Sequence, residues 1–271
     1  MKTRIISGVV LLPLLIFLIV YGGLPLHIAI LIVSFIGLYE FYKALSGKIL
    51  PVHFFGFAAC LVFELFPATI VSKANLFNGF TALFMLCLLF YMVIFHKKCN
   101  DKDVFITFFG FYYVSFLLTH IYLVRNYTYG NIFVWLIFIA AFVCDTGAYF
   151  TGMFMGKHKL IPDLSPKKTI EGAVGGVVWA TAAAVVFGIL AEKYFTLDQA
   201  ATVPICAIIG IFGSIMSQIG DLAASSFKRM VGIKDYGNLI PGHGGILDRF
   251  DSVLITAPVV YYVMTALIKV L

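Results

Sequence analysis

Residues 1–42, MKTRIISGVVLLPLLIFLIVYGGLPLHIAILIVSFIGLYEFY, decide the class of this molecule. Lys2 and Arg4 precede an apolar run at about 5–21, Gly22-Gly23-Leu24-Pro25 makes a turn, and a second apolar run follows at about 25–42. Lipid offers no partner for bare backbone N–H and C=O groups, so a crossing of the roughly 30 Å hydrocarbon layer takes a helix of roughly 20 mainly apolar residues. The first run has the charged start of a signal peptide, but no small-residue cleavage site follows it. The chain turns directly into the second run, so the first is read as a retained anchor.

The same reading extends outward. Further apolar runs lie at about 52–70, 76–95, 104–124, 131–151, 170–191, 203–222 and 252–270. The expected fold is therefore all-α: a polytopic integral membrane protein with about nine transmembrane helices. Composition agrees, with 62% of the 271 residues hydrophobic, 12% charged, and a mean hydropathy of +1.02. Soluble domains hold about 45–50% apolar and about 25% charged residues. These values exclude an ordinary soluble enzyme, a disordered chain and a fibrous protein. Cys60, Cys87, Cys99, Cys144 and Cys206 are scattered without CxxC spacing, which indicates small buried hydrophobes rather than a zinc site or a disulfide framework.

Positive charge sets the orientation, because Lys and Arg accumulate on the cytoplasmic side. With a cytoplasmic N-terminus, the inner segments hold Lys2, Arg4, Lys43, Lys48, Lys97, Lys98 and Lys102, then Lys157, Lys159, Lys167, Lys168, Lys228, Arg229, Lys234 and Arg249. Only Lys73, Arg125, Lys193 and Lys269 fall outside. The net charge of +6 is thus a basic cytoplasmic face, suited to anionic headgroups or nucleotides, and no nucleic-acid motif competes for it. Two regions emerge. Residues 1–130 read as scaffold helices with short connections. Residues 131–271 carry two long polar cytoplasmic connections, 152–169 and 223–251, of the kind that more often serves function than decoration. No internal repeat is visible, which weakens an inverted-repeat transporter.

Four carboxylates fall within the expected spans, where a charge is costly. Glu40 is read as an interfacial ion pair with Lys43, and Glu64 as an interhelical hydrogen bond or a snorkelling side chain. Asp145 sits about 9 Å inside its span, in Asp145-Thr146-Gly147-Ala148-Tyr149, where small residues admit a close neighbour. Asp221 ends its span just before the second long connection. In Ser165-Pro166-Lys167-Lys168-Thr169-Ile170-Glu171-Gly172, Thr169 reads as a helix N-cap, and two lysines precede a helix start whose free N–H groups favour anions. His158 reads as a solvated loop residue.

The richest segment is SSFKRMVGIKDYGNLIPGHGGILDRFD, residues 225–251. Lys228 and Arg229 follow Asp221 by two helical turns. Pro241-Gly242-His243-Gly244-Gly245 is a turn poor in side chains, where backbone can approach a bulky anion. Asp248 and Asp251, three apart, share a helix face. Magnesium commonly takes one or two carboxylates plus substrate phosphates, so Asp221, Asp248 and Asp251 are a sufficient set.

This segment resembles the signature of the phosphatidate cytidylyltransferase (CDP-diacylglycerol synthase) family, with no departure across its 27 residues, and the elements at 145–149 and 165–172 are similar to that family's second half. Residues 1–130 match only as hydrophobic spans. The resemblance implies that CTP and phosphatidic acid give CDP-diacylglycerol and pyrophosphate in phospholipid biosynthesis, with Mg²⁺ required. The residues expected to serve the reaction are Asp221, Lys228, Arg229, Asp248 and Arg249. Those expected around the substrates are Asp145, Ser165, Lys167, Lys168, Lys234, His243, Gly244 and Gly245, with Asp145 either a ligand of a second cation or a partner to a lysine. The expected setting is a bacterial inner (plasma) membrane with the active site on the cytoplasmic face. A homodimer is compatible with this reading, and no nucleic-acid partner is implied. Other classes remain: a transporter or channel, a related enzyme using CTP on a polyprenyl lipid, and a structural membrane protein, the last of which leaves residues 225–251 unexplained.

Overall fold

The computed structural model describes residues 2–195 and 202–268; the side chains of Lys2 and Arg4, and Lys269, lie outside the described residues. Over that extent all nine apolar runs are helical, and the chain divides into two compact units.

The first unit comprises Met1–Leu123 and Val231–Arg249. Helix α1 (Lys2–Tyr21) passes into α2 (Gly23–Ser46) through Gly22 and Gly23, both at positive φ (67° and 53°), a conformation glycine adopts without steric cost. The expected run at 52–70 is divided. It forms α3 (His53–Leu65) and the short α4 (Pro67–Ser72), because Pro67 lacks an N–H and pushes Phe66 out of the helical region, to φ −140°. Helix α5 (Ala74–Ile94) follows. Then α6 (Asp101–Gly110) runs through a π-helical segment, Phe111–Phe116, into α7 (Leu117–Arg125).

Aromatic residues fill this unit's core. Phe41, Tyr42, Phe63 and Phe111 are fully buried, and the Phe63 and Phe111 rings meet edge to face at 5.7 Å. The Tyr42 hydroxyl donates to the Thr107 carbonyl (2.9 Å), and its ring passes so close to Gly56 and Gly110 that neither can carry a Cβ. Glu64 is buried between helices, bonded to His27 (3.1 Å) and to the Thr119 hydroxyl, an interhelical contact of the kind read from its sequence setting.

The second unit comprises Val124–Met230 and Phe250–Leu271. Helix α8 (Gly130–Phe138) passes through a π-helical stretch, Ile139–Val143, into α9 (Cys144–Met155). Antiparallel strands β1 (Lys159–Ile161) and β2 (Ser165–Thr169) then lead into α10 (Ile170–Phe195). This short hairpin is the only strand pair among the described residues, and the architecture is all-α as expected. The segment is too polar to lie in lipid, and strand pairing satisfies its backbone. Thr169 caps α10 as its residue type suggested, accepting the Gly172 N–H (3.1 Å). Helix α11 (Thr202–Met230) and helix α12 (Leu247–Ile268) complete the chain, the first residues of α12 grouping with the first unit.

Glycines let these helices approach backbone to backbone. A Cβ at Gly172 or Gly176 would lie 2.8 Å from the carbonyl oxygens of Ala148 and Cys144, and one at Gly210 would lie 2.8 Å from the Thr181 Cα.

Among the described residues, seven helices are long and apolar enough to cross a membrane, against about nine expected. Residues 8–21 and α3 are apolar but shorter; the break at Phe66-Pro67 limits the latter. Helices also extend into both polar connections, to Met155 and Met230, so the irregular part of the second is confined to 231–246.

Candidate active site

Two clusters of polar residues stand out, one in each unit. That of the first unit is built around the turn at 231–246. Ile240 and Gly244 pair as an isolated antiparallel bridge, with Ile240 N–H donating to the Gly244 carbonyl (2.9 Å) and His243 N–H to that of Ile240 (2.9 Å). Gly242 (φ 77°) and Gly244 (φ 92°) supply the left-handed backbone that such a tight reversal needs.

Two buried carboxylates hold this turn, each about 5% exposed. Asp248 Oδ2 accepts the N–H groups of Tyr236 (2.8 Å) and Gly245 (3.0 Å). Glu40, on α2, accepts the N–H groups of Ile246 (3.0 Å) and Leu247 (3.0 Å), at the start of α12. The glycines follow from these carboxylates: a Cβ at Gly245 would lie 2.5 Å from Glu40 Oε2, one at Gly237 2.5 Å from Glu40 Oε1, and one at Gly244 2.9 Å from Asp248 Oδ2. The turn encloses a cavity of about 550 Å³ lined by Lys234, Asp235, Asn238, His243, Gly244 and Arg249. With two cations, an imidazole and a side-chain-poor turn, its chemistry suits a phosphate-bearing ligand.

The cluster of the second unit joins side chains from α9, β2, α11 and α12. Lys168 forms an ion pair with Asp221. Ser252 Oγ donates to Asp145 Oδ2 (3.3 Å). Asp221 lies within electrostatic range of both Asp145 and Asp251, and Lys228 within range of Asp251. Gln218, one turn before Asp221, donates to the Ala173 carbonyl (3.1 Å) and so ties α11 to α10. A second cavity, about 320 Å³, carries Asp145, Lys167, Lys168 and Asp221 together with apolar Met153 and Leu160. Charged groups beside an apolar wall make this cavity amphiphilic.

Asp145, Lys167, Lys168, Asp221 and Asp251 belong to the cluster of the second unit, while Lys234, His243, Gly244 and Arg249 line the cavity of the first. Gly245 packs against Glu40 instead. Ser165 lies on β2 and lines neither cavity. Lys228 and Arg229 also line neither; they occupy the last turn of α11, where cations oppose the helix dipole. Of the expected magnesium set, Asp221 and Asp251 are in the second unit. Asp248 is in the first, its Oδ2 committed to two amides. Among the described residues, no three acidic, histidine or cysteine side chains form a ready-made metal cage.

One reading changes, and two residues gain partners that the sequence did not show. Glu40 does not pair with Lys43, whose ammonium lies over the Tyr39 ring at 5.6 Å, but holds the start of α12. His158 is a solvent-exposed loop residue, as read, and it also bonds Glu171 (2.6 Å), which accepts the Lys157 N–H (3.1 Å). Ser252 was missed altogether, although its place beside Asp251 was a usable signal.

A model of the cytidylyltransferase family matches residues 2–267. The chain is 33% identical over 276 residues to a phosphatidate cytidylyltransferase of Bacillus subtilis, covering 97% of each chain. A phosphatidate cytidylyltransferase of Staphylococcus haemolyticus is 32% identical over 261 residues, covering 95% of this chain and 96% of that one. One from Synechocystis is 31% identical over 296 residues, covering 99% and 98%.

Proposed function

The chain belongs to the cytidylyltransferase family, and from that premise we propose that it transfers the cytidylyl group of CTP to phosphatidic acid, giving CDP-diacylglycerol and pyrophosphate. The observation that carries this reading is the amphiphilic cavity of the second unit, where Lys167, Lys168 and Asp221 stand beside Met153 and Leu160. A lipid phosphate needs that combination, charge for its head and apolar surface for its chains.

The lipid phosphate oxygen attacks the α-phosphorus of CTP in line. The new P–O bond forms as the α–β phosphoanhydride bond breaks, and pyrophosphate leaves. The attacking phosphate is already anionic near neutral pH, so no general base is required. The obstacle is the approach of two anions, and positioning with charge neutralisation lowers it. Lys167 and Lys168 neutralise and hold phosphate groups in the cavity of the second unit, and Lys228 and Arg229 add positive charge from the last turn of α11. Lys234, His243 and Arg249, around the turn at 242–245, do so in the first. Asp145 orients its neighbours through Ser252 and its charge.

Asp221 and Asp251 are hard oxygen donors within range of one another and of Asp145, and they fit Mg²⁺, which rarely needs an all-protein cage. When bound, the ion would neutralise charge on the nucleotide phosphates. The positive-inside bias supports nine spans with a cytoplasmic N-terminus, and the bacterial relatives support the inner membrane as the location. CTP is cytosolic and phosphatidic acid is held in the bilayer, so the reaction belongs at the cytoplasmic surface.

Protein purified in detergent should release pyrophosphate and form CDP-diacylglycerol from CTP, phosphatidic acid and Mg²⁺. A folded preparation that makes no product overturns the proposal. Product formed only with a polyprenyl phosphate would move it to the related lipid enzyme, and solute flux in liposomes without CTP-dependent product would move it to a transporter.

A further inference from the structure

Glu40 belongs to the scaffold half by sequence, 206 and 207 positions from its partners. It is buried, and both carboxylate oxygens are engaged, Oε1 by the Ile246 N–H and Oε2 by the Leu247 N–H. The first N–H groups of any helix lack partners within it and are normally satisfied by a neighbouring Ser, Thr, Asp or Asn. Helix α12 begins after Gly244-Gly245-Ile246, none of which carries a side-chain acceptor, and Asp248 in its first turn accepts the Tyr236 and Gly245 N–H groups. A carboxylate from α2 does this work instead, and its charge also suits the positive end of the helix dipole.

The geometry points to Glu40 as a positioning residue for the turn at 234–249, an inference that rests on the transferase reading above. Glu40 and Asp248 together clamp four N–H groups of that turn: those of the consecutive Gly245, Ile246 and Leu247, and that of Tyr236. Gly237 and Gly245 lie so close to the Glu40 carboxylate that no side chain fits at either. Phe41, next to Glu40, packs against the Tyr236 ring at 6.4 Å, so the same turn of α2 supports the loop by apolar contact as well. Lys234, His243 and Arg249 therefore take their places around the cavity from a frame anchored on α2, and Glu40 acts on substrate through them without touching it.

The test uses Glu40→Gln in the full-length protein, with Glu64→Gln as the control. Glu64 is also a buried carboxylate of the N-terminal helices, but it bonds the side chains of His27 and Thr119. In hydrogen exchange, the amides of Ile246 and Leu247 should lose protection about tenfold or more in Glu40→Gln, because an amide nitrogen replaces one acceptor, while α5 is unchanged. In kinetics, Glu40→Gln should raise the KM for at least one phosphate substrate about tenfold and lower kcat. Glu64→Gln should hold both within about twofold. A merely structural loss would reduce the active fraction and leave KM alone. Gly245→Ala, which pushes on the carboxylate from the other side, should reproduce the KM change if Glu40→Gln fails to fold. Unchanged exchange at 246 and 247 overturns the capping role, and altered exchange with unchanged KM overturns the positioning role. If wild-type protein makes no CDP-diacylglycerol, the transferase reading falls, and the exchange experiment still decides whether Glu40 holds the loop.

Discussion

The two polar clusters use the same side chain for different ends. In the first unit, Glu40 and Asp248 are buried and accept backbone N–H groups, which makes them the framework of a turn. In the second, Asp145 and Asp221 engage side chains, with Lys168 paired to Asp221, and Asp251, which also accepts the Ser252 N–H (2.8 Å), lies within electrostatic range of both. A carboxylate spent on amides fixes shape; one that faces a lysine and other carboxylates keeps charge available for a cation or a phosphate-bearing substrate. Variants of the second kind should therefore lose activity without losing the fold, and variants of the first kind should lose both.

The largest effect is expected at Asp221. Asp221→Asn removes the partner of Lys168 and a charge that Asp145 and Asp251 both feel, and CDP-diacylglycerol formation should fall about a thousandfold, at the upper end of the cost of removing one electrostatic stabiliser. Its thermal midpoint in detergent should stay close to wild type. Retention of a tenth of the activity would break the comparison, since the second cluster would then be structural. Asp248→Asn comes next. It should lower turnover about a hundredfold and destabilise the protein by about 2 kcal/mol, because a buried, charged acceptor of two N–H groups becomes neutral. A Asp248→Asn protein as stable as wild type would show that Oδ2 is not the clamp described above. Third, Lys167→Ala removes an exposed cavity cation, and turnover should fall about tenfold, with the loss reduced at higher salt, which screens the same charge in the wild type.

Legibility in the sequence divides along the same line. The nine apolar runs become helices because hydropathy is a local property, and the break at Phe66-Pro67 was open to the same reasoning. The π-helical segments and the hairpin at 159–169 have no comparable local signature. Asp145 and Asp221 are legible because a charge in an apolar run is conspicuous, and Lys168 because two lysines precede a helix start; the three do come together. Glu40 was equally conspicuous, yet its role was misread. Its partners are backbone amides 206 and 207 positions away, and an amide carries no residue identity. Lys43, one turn along the helix, offered a nearer and wrong explanation. Side-chain partnerships leave a trace in residue type and spacing; side-chain-to-backbone partnerships leave at most the neighbouring glycines, here Gly237, Gly244 and Gly245.

The smallest effect tests that distinction where both kinds of contact meet on one residue. Glu171 accepts the His158 ring N–H and also the backbone N–H groups of Lys157 and His158, all at an exposed position just inside the start of α10. An exposed ion pair contributes little, because water competes for both partners and salt screens them. His158→Ala removes only the side-chain contact and leaves both amides bonded, so turnover and thermal midpoint should stay within about twofold and within error of wild type. Glu171→Ala removes the backbone contacts as well and frees the entry to the hairpin that carries Lys167 and Lys168. Its turnover should therefore fall further than that of His158→Ala, by a few-fold. Equal effects of the two substitutions would mean that the backbone contacts of Glu171 do not order the hairpin, and that the rule drawn from Glu40 and Asp248 holds only where the carboxylate is buried.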